Sequence, residues 1–563
     1  MSARRASGWQ ALRRIDWIAA ALLALFALQA EVAARRDSVT IDEFVHLPVG
    51  LYALYTGDLS RDPINPPFTR MIAALPLLAR PPAFDPPKGT AHWSLGYLFM
   101  QRNAADYQSI FVSARRAIIG LALVLGFLVY RWSLDLYGRP AALAALGLYA
   151  LTPDLLAHGH LVTLDLAGAL GFTVTAYATY RMLARATLGG AALVGAAFGL
   201  ATLLKLSGFV LVLSVAAAVA ARLLDRSAVG PRVSWRGWLG RLALMTAAGT
   251  VVINLGYGFD GTFAALSTLT LDPKGSLAGL AAGVPWLGLP FPKPFVEGVD
   301  MVLNVGKEKE PSFFLFGELS SEGWWYYHLA AFAVKTPLPL LVFFAVALVA
   351  WALGKSRGYR EYCVVLPILI LFASNSLFNS LQIGARHVLP ALPLLIVLAS
   401  PWVADALAGF GRGGARRATA VATAALLAWM ALGTGTVAPR YLQYFNETAG
   451  GPEGGHRALV DSNIDWGQDL IRLREYMDRE GIEQVDLAYF GRVDPRVYGI
   501  RFAPLEKTSR SAHAVISATF LMGRPYFWFL GGQMRWVPAE TYSWLRERKP
   551  IARVGSMFVY DLR

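Results

Sequence analysis

A chain of 563 residues that is 55% hydrophobic and only 16% charged, with a mean hydropathy of +0.44, is too apolar for an ordinary soluble protein. Its net charge of +14 does not mark a nucleic-acid binder, because the arginines gather in short gaps between apolar runs and form no single patch. The lone cysteine, Cys363, excludes an intrachain disulfide.

Taken in chain order, the first apolar run is 17–34, behind Arg4, Arg5, Arg13 and Arg14. No A-x-A-like cleavage site precedes a soluble domain, so the run is read as an uncleaved anchor. Ten further runs follow at 115–133, 140–157, 161–180, 187–205, 207–223, 240–257, 327–353, 362–378, 387–406 and 418–437. Each is long enough to cross a bilayer. Every second connection is basic. Arg131 and Arg139 mark one, Arg181 and Arg185 the next, and Arg222, Arg226, Arg232, Arg236 and Arg241 a third. Lys355, Arg357 and Arg360 mark the fourth, and Arg412, Arg416 and Arg417 the last. By the positive-inside rule these gaps and the N-terminus are cytoplasmic. The long connections 35–114 and 258–326 then face outward, the second with eight acids against Lys274, Lys293, Lys307 and Lys309. An odd number of spans leaves 438–563 outside as well.

That tail changes character. "HRALVDSNIDWGQDLIRLREYMDREGIEQVDLAYF" predicts a strand ending near Asp461, a helix with Leu470, Leu473 and Tyr476 on one face, and a strand at 485–490. Strand-like runs follow at 513–519 and 557–562. The expected organisation is a polytopic α-helical membrane domain, 1–437, and an extracytoplasmic α/β domain, 438–563.

The chemistry concentrates in the first outer loop. "VTIDEFVHLPVGLYALYTGDLSRDPINPPFTRMIAALPLL" sets Asp42 and Glu43 side by side about one turn before His46. A solvated interfacial helix with Pro48, Tyr52 and Tyr55 explains such a pair without any function. A carboxylate is also the usual general base for an alcohol or amide nucleophile. Downstream, Asp58, Arg61, Asp62, Asn65 and Arg70 surround the rigid Pro66-Pro67 turn. Cations recur near span edges on the same outer side: Lys205 in "GLATLLKLSG", Lys335 in "WWYYHLAAFAVKTPLPLL", and Arg386 with His387 in "IGARHVLPALPLL". Snorkelling toward headgroups accounts for each singly. Their shared side with Asp42 points instead to a polar cavity able to hold a phosphate.

This pattern resembles the GT-C class of membrane glycosyltransferases, and within it the protein O-mannosyltransferase and lipid A aminoarabinose transferase relatives. The resemblance rests on "DE" with His46, Tyr52 and Tyr55, then "D..INPPFTR…ALP", with support from "PDLLAHGHLVTLD", "LLKLSG", "WWYYHLAAFAVKTPL" and "GARHVLPALP". It covers about 1–437. Protein mannosyltransferases read HPPLGK where this chain has Asn65 to Arg70, a departure that bears on the acceptor. The resemblance implies inverting transfer of a monosaccharide from a polyprenyl-phosphate-sugar donor at the outer membrane face, with an acid of the Asp42-Glu43 pair as base. Arg386 and Lys335, helped by Arg70 and Lys205, are expected at the donor phosphate. His46, Tyr52, Asp62, Asn65 and His387 are expected at the substrates. The acceptor is a protein, lipid or glycan; nucleic acid is not among the expected partners, and no cofactor is required.

Other features have simpler readings. His158, His160 and Asp165 in "AHGHLVTLD" offer a divalent-metal alternative, against which stand polar loop residues beside a cavity. Asp461, Asp465 and Asp469 fit a helix N-terminus. "NET" at 446–448 matches an N-glycosylation sequon by length-three chance, and "GPEGG" at 451–455 lacks the strand-turn-helix context of a phosphate loop. A transporter or lipid flippase would need related halves and broken midplane helices. An oligosaccharyl transferase or glycan polymerase would share the architecture.

Overall fold

The computed structural model describes residues 16–225, 233–304, 313–355, 359–378, 381–508, 511–530 and 533–563. Arg4, Arg5, Arg13, Arg14, Arg226, Arg232, Lys307, Lys309 and Arg357, which entered the orientation and loop-charge reading, lie outside the described residues.

All eleven expected apolar stretches are helical, but they are not equal. Among the described residues, seven helices are long and apolar enough to cross a membrane: Trp17–Arg36, Tyr107–Tyr137, Leu206–Leu224, Trp235–Gly256, Arg360–Leu377, Ala391–Gly411 and Ala415–Val437. The others fall short for identifiable reasons. Stretch 140–157 divides into Arg139–Ala150 and Pro153–His158, and 327–353 into Tyr327–Lys335 and Leu338–Ala352. Each break falls at a proline, which removes a helical N–H and disfavours helix in the residue before it. Asp165–Arg185 is long enough but polar. Its Thr173, Thr175 and Thr179 hydroxyls each donate to a carbonyl four residues back. Leu188–Leu204 is 17 residues. It packs tightly on Trp235–Gly256 through Gly195 and Gly199. A Cβ at Gly195 would sit 2.1 Å from the Met245 carbonyl oxygen, and one at Gly199 2.7 Å from that of Gly249. Small residues four apart let two backbones approach where bulkier ones hold them off.

The bundle has two chemically different ends. At one, the basic gaps are tied by Arg139–Asp16 (2.7 Å), Arg131–Asp135 (2.7 Å) and Arg181–Asp135 (3.3 Å). At the other lie the first long loop, the connection after Gly256 and the tail. The first loop is itself helical, with Ile41–Thr56, Pro67–Ala74 and His92–Arg102. The tail carries a five-stranded sheet in the order Phe502–Pro504, Val485–Ala488, His513–Ser517, Met557–Asp561, Ala552–Val554. The first three strands are parallel and the last two join antiparallel. A separate hairpin, Tyr526–Leu530 with Gln533–Val537, was not foreseen.

The strand expected near Asp461 is absent. Gly455–Arg457 and Asp461–Asn463 form short 3-10 turns, because the Asp461 and Ser462 side chains bond to other elements and no sheet partner runs alongside. The helix Leu470–Glu480 forms as expected, with Leu470, Leu473 and Met477 buried. One continuous hydrophobic core runs from Phe26 and Tyr149 in the bundle to Trp466, Leu470 and Val515 in the tail.

Candidate active site

The two adjacent acids part company at the first turn of Ile41–Thr56. Successive residues on a helix point about 100° apart, so neighbours cannot share one face. Glu43 turns inward and is fully buried. Arg115 grips it with two bonds of 2.8 and 2.6 Å, and the Val162 and Thr40 N–H groups donate to it at 2.9 and 3.0 Å. With the Thr40 hydroxyl this completes a capping box. Burial by itself raises the Glu43 pKa, but the Arg115 charge and hydrogen bonds, together with the Val162 and Thr40 N–H groups, outweigh it and hold the carboxyl below its ordinary range. Arg115 spends its remaining N–H groups on the carbonyls of Ala34, Asp37 and Ser38. Glu43 therefore fixes the loop's path and has no side open to substrate.

Asp42 turns the other way. Its side chain keeps 24% exposure and pairs with the Arg386 guanidinium at 2.6 Å. Arg386 sits in the turn Ala385–Val388, just before the helix Ala391–Leu407. The same guanidinium nitrogen lies 3.6 Å from Asp165, the first residue of Asp165–Arg185. Asp165 in turn meets Lys205, which ends Leu188–Leu204, at 2.6 Å. Asp42, Arg386, Asp165 and Lys205 thus form an alternating row of charges where four elements end. Arg386 and Lys205 retain 13% and 19% exposure. Trp466, from the tail, lies with its ring 4.5 Å from the Arg386 guanidinium carbon.

Histidines surround this row. His158 Nδ1 is 3.8 Å from Asp165. His46 and His387 lie within electrostatic range of Asp165, Asp42 or Arg386. Burial presses the His46 imidazole down to about 4, so it is neutral at ordinary pH. Among the described residues, several buried polar atoms with no hydrogen-bond partner gather here: His46 Nδ1, His158 Nδ1, Asp165 Oδ2, Arg386 Nε and His387 Nε2. Buried polar groups are normally satisfied, so this concentration makes the place the candidate site.

Other residues expected at the site have different neighbours. Arg70 is 1% exposed, pairs with Asp62 at 2.9 Å and donates to the carbonyls of Arg61, Asp62 and Asn65. These bonds make it an internal brace of the loop before Pro66-Pro67. Asn65 donates to Asp62 at 3.0 Å, and Asp62 itself takes the left-handed φ of 59°. The Tyr52 hydroxyl accepts the Gly89 N–H. Lys335 is 2% exposed, and its ammonium donates to the carbonyls of Leu442, Tyr444 and Asn463 at 2.9, 2.8 and 2.8 Å, with Asp154 at 3.6 Å. An ammonium has three N–H donors. All three are spent on the tail, so none remains for a phosphate.

The metal alternative meets a separation. His158 faces Asp165, whereas His160 turns to Asp37 at 2.9 Å and the Leu156 carbonyl at 2.7 Å. Among the described residues, no group of three or more His, Cys, Asp or Glu side chains is arranged to hold a metal ion.

Two participants escaped the sequence reading. Arg115 was only the edge of a span, although an arginine opening an apolar run is a signal for a buried carboxylate partner. Trp466 stands in "DSNIDWGQDL" with no period to place it; an aromatic amid five acids and amides is the available hint.

Comparison with known proteins agrees with this architecture. Residues 108–249 match the family described as dolichyl-phosphate-mannose-protein mannosyltransferase. Among solved structures, the chain is similar to ArnT from Cupriavidus metallidurans bound to undecaprenyl phosphate. That likeness covers 98% of both chains, with 14% identity and a TM-score of 0.50. It is similar to the same protein in the apo state over 99% of this chain and 98% of that one (15% identity, TM-score 0.48). The archaeal oligosaccharyltransferase AglB from Archaeoglobus fulgidus, in complex with an inhibitory peptide and a dolichol-phosphate, is similar over 95% of this chain and 75% of that one, at 13% identity and a TM-score of 0.48. No curated protein matches in sequence. The chain has the GT-C fold, a polytopic helical membrane bundle with a sheet-containing C-terminal region.

Proposed function

We propose that the chain is a glycosyltransferase that moves a monosaccharide from a polyprenyl-phosphate-linked donor to an acceptor at the outer membrane face, with Asp42 as general base. The observation that carries this reading is the Asp42–Arg386 pair. It joins a partly exposed carboxylate to a partly exposed guanidinium among unsatisfied polar atoms, at the end of the bundle where helices meet the outer loops. The donor's lipid chain needs bilayer and its sugar needs water, and this reading puts their meeting place at that end of the bundle.

In this mechanism Asp42 accepts the proton of the acceptor hydroxyl or amide as that group attacks the anomeric carbon. The bond from that carbon to the phosphate oxygen breaks, and its electron pair leaves with the polyprenyl phosphate. No general acid is needed, because the leaving anion is stabilised by cations already in place. Arg386 supplies a planar fork suited to phosphate, and Lys205 a point charge beside it. In the resting site each cation is neutralised by an aspartate, Asp42 or Asp165. A donor phosphate would take over part of Arg386 and leave Asp42 free to act as base. Glu43, Arg70 and Lys335 act through structure in this reading, and His46 and His387 line the substrate pocket. The arginine-rich gaps support a cytoplasmic N-terminus and an outward tail, in the inner membrane.

A deletion strain complemented with the wild-type chain or with Asp42→Asn tests the proposal. Mass spectrometry of envelope glycans should show a glycan lost on deletion and restored only by the wild type. Restoration by Asp42→Asn would remove Asp42 from the role. Digestion of the tail by protease in right-side-out spheroplasts tests the orientation, and protection of the tail would overturn it.

A further inference from the structure

In α/β sheets, ligands usually bind beyond the carboxyl ends of parallel strands. Here that place, past Val485–Ala488 and His513–Ser517, is filled by the chain's own residues 461–469. The Asp461 N–H donates to the Thr519 hydroxyl at 3.1 Å, and Arg524 pairs with the Asp461 carboxylate. The Thr519 N–H and the Ser517 hydroxyl donate to Asp465 at 3.1 and 3.3 Å. The Ser556 hydroxyl donates to Asp469 at 2.8 Å, and the Tyr489 hydroxyl to the Gly467 carbonyl at 3.3 Å.

The other side of this segment holds both loops of the site. The Ser462 hydroxyl donates to the Ile383 carbonyl at 2.6 Å, and the Ala385 N–H donates to Asn463 Oδ1 at 2.9 Å. From the first loop, the Ile41 N–H donates to the Trp466 carbonyl at 3.0 Å and the Ser38 N–H to the Gln468 carbonyl at 2.9 Å. The residues flanking Asp42 hang from tail carbonyls and those flanking Arg386 from tail side chains, all within the one strip 462–468. From the middle of that strip, Trp466 lays its ring against the Arg386 guanidinium and is itself only 1% exposed.

We propose that Trp466 is a positioning residue. Its ring face fixes the plane of the Arg386 guanidinium so that one edge meets Asp42 and the rest is presented to the donor's phosphate. The tail sheet serves as the clamp that holds Trp466 there. This rests on the functional reading above and adds to it a part of the site supplied by the soluble domain. A guanidinium stacked on an aromatic face keeps its in-plane N–H donors available, which a purely polar cradle would consume.

The test is titration of undecaprenyl phosphate into the purified full-length chain in detergent, alongside a thermal melt of each variant. Trp466→Leu keeps apolar bulk and removes the ring face; it should weaken undecaprenyl phosphate about tenfold without a matching loss of melting temperature. Trp466→Phe should recover most of the affinity. Asn463→Ala, which releases the Ala385 N–H but keeps the ring, should give a smaller loss of the same kind. Wild-type affinity in Trp466→Leu, or equal losses in the Leu and Phe variants together with lowered melting, would overturn the positioning role and leave the functional reading standing. A wild-type chain that binds no undecaprenyl phosphate would overturn both.

Discussion

Asp42 and Arg386 are 344 residues apart in the chain and 2.6 Å apart in the fold. Their contact joins the first long loop to the turn that leads into one of the last helices, at the point where the bundle meets the tail. Because both groups keep some exposure while Glu43 and Lys335 are sealed, substitutions here separate chemistry from stability.

Asp42→Asn preserves shape and removes basicity, and is expected to cost about a hundredfold or more in turnover with little change in melting. Glu43→Gln is expected to do the reverse. It leaves Arg115 as an uncompensated buried charge, a loss of about 3–5 kcal/mol. Thermal melts of the solubilised variants, set beside turnover of the folded fraction, distinguish the two acids. Equal behaviour would contradict their opposite orientations.

Lys335→Met should destabilise without touching the donor. It strands the carbonyls of Leu442, Tyr444 and Asn463 and leaves Asp154 buried without its cation. Unsatisfied buried groups cost about 1–3 kcal/mol each. Undecaprenyl phosphate affinity of the folded fraction should stay within about twofold of wild type, whereas Arg386→Lys should weaken it by about tenfold or more. A selective loss of affinity in Lys335→Met would return Lys335 to the phosphate site.

Asp465 predicts a pH dependence. Burial, with the nearby Asp469 charge adding to it, pushes its carboxyl up to about 7 from an ordinary 3.8. Between those values the unfolded chain releases the proton and the folded chain keeps it, so stability falls as pH rises through that window and stays low above it. Asp465→Asn keeps the shape without the charge. It should raise the melting temperature at about pH 8 and change it little at about pH 4. A larger gain at the acidic end would reverse the sign and refute the assignment.

A chain ending near Ala438 should not fold as an independent membrane domain. It would lose the three carbonyls that hold Lys335, the Arg472 partner of Asp37 at 2.7 Å, and the backbone bonds to Ser38 and Ile41. Size-exclusion profiles of the truncated chain should show aggregation, and a monodisperse truncation that binds undecaprenyl phosphate would show that the tail is separable.

The membrane character, the helical stretches and the basic-gap pattern were legible in the sequence because they depend on local composition and span length. The sheet strands at 485–490, 513–519 and 557–562 were legible too, since β-branched and aromatic runs flanked by breakers are local signals. The acids and cations of interest were also visible, as charges in greasy surroundings draw attention wherever they lie. What each charge faces is a different kind of information. Asp42 and Glu43 are neighbours in sequence, yet one is partly exposed and the other sealed, because a helix points them apart and only the packed bundle decides which side is inside. Lys335 and Arg386 looked equivalent as span-edge cations until the tail's backbone claimed one of them. Trp466 had no periodic pattern, and its partner lies 80 positions earlier. Local physics sets the elements; the pairing of charges across them belongs to the tertiary structure, because desolvation makes each buried ion depend on whichever distant group the fold brings to it.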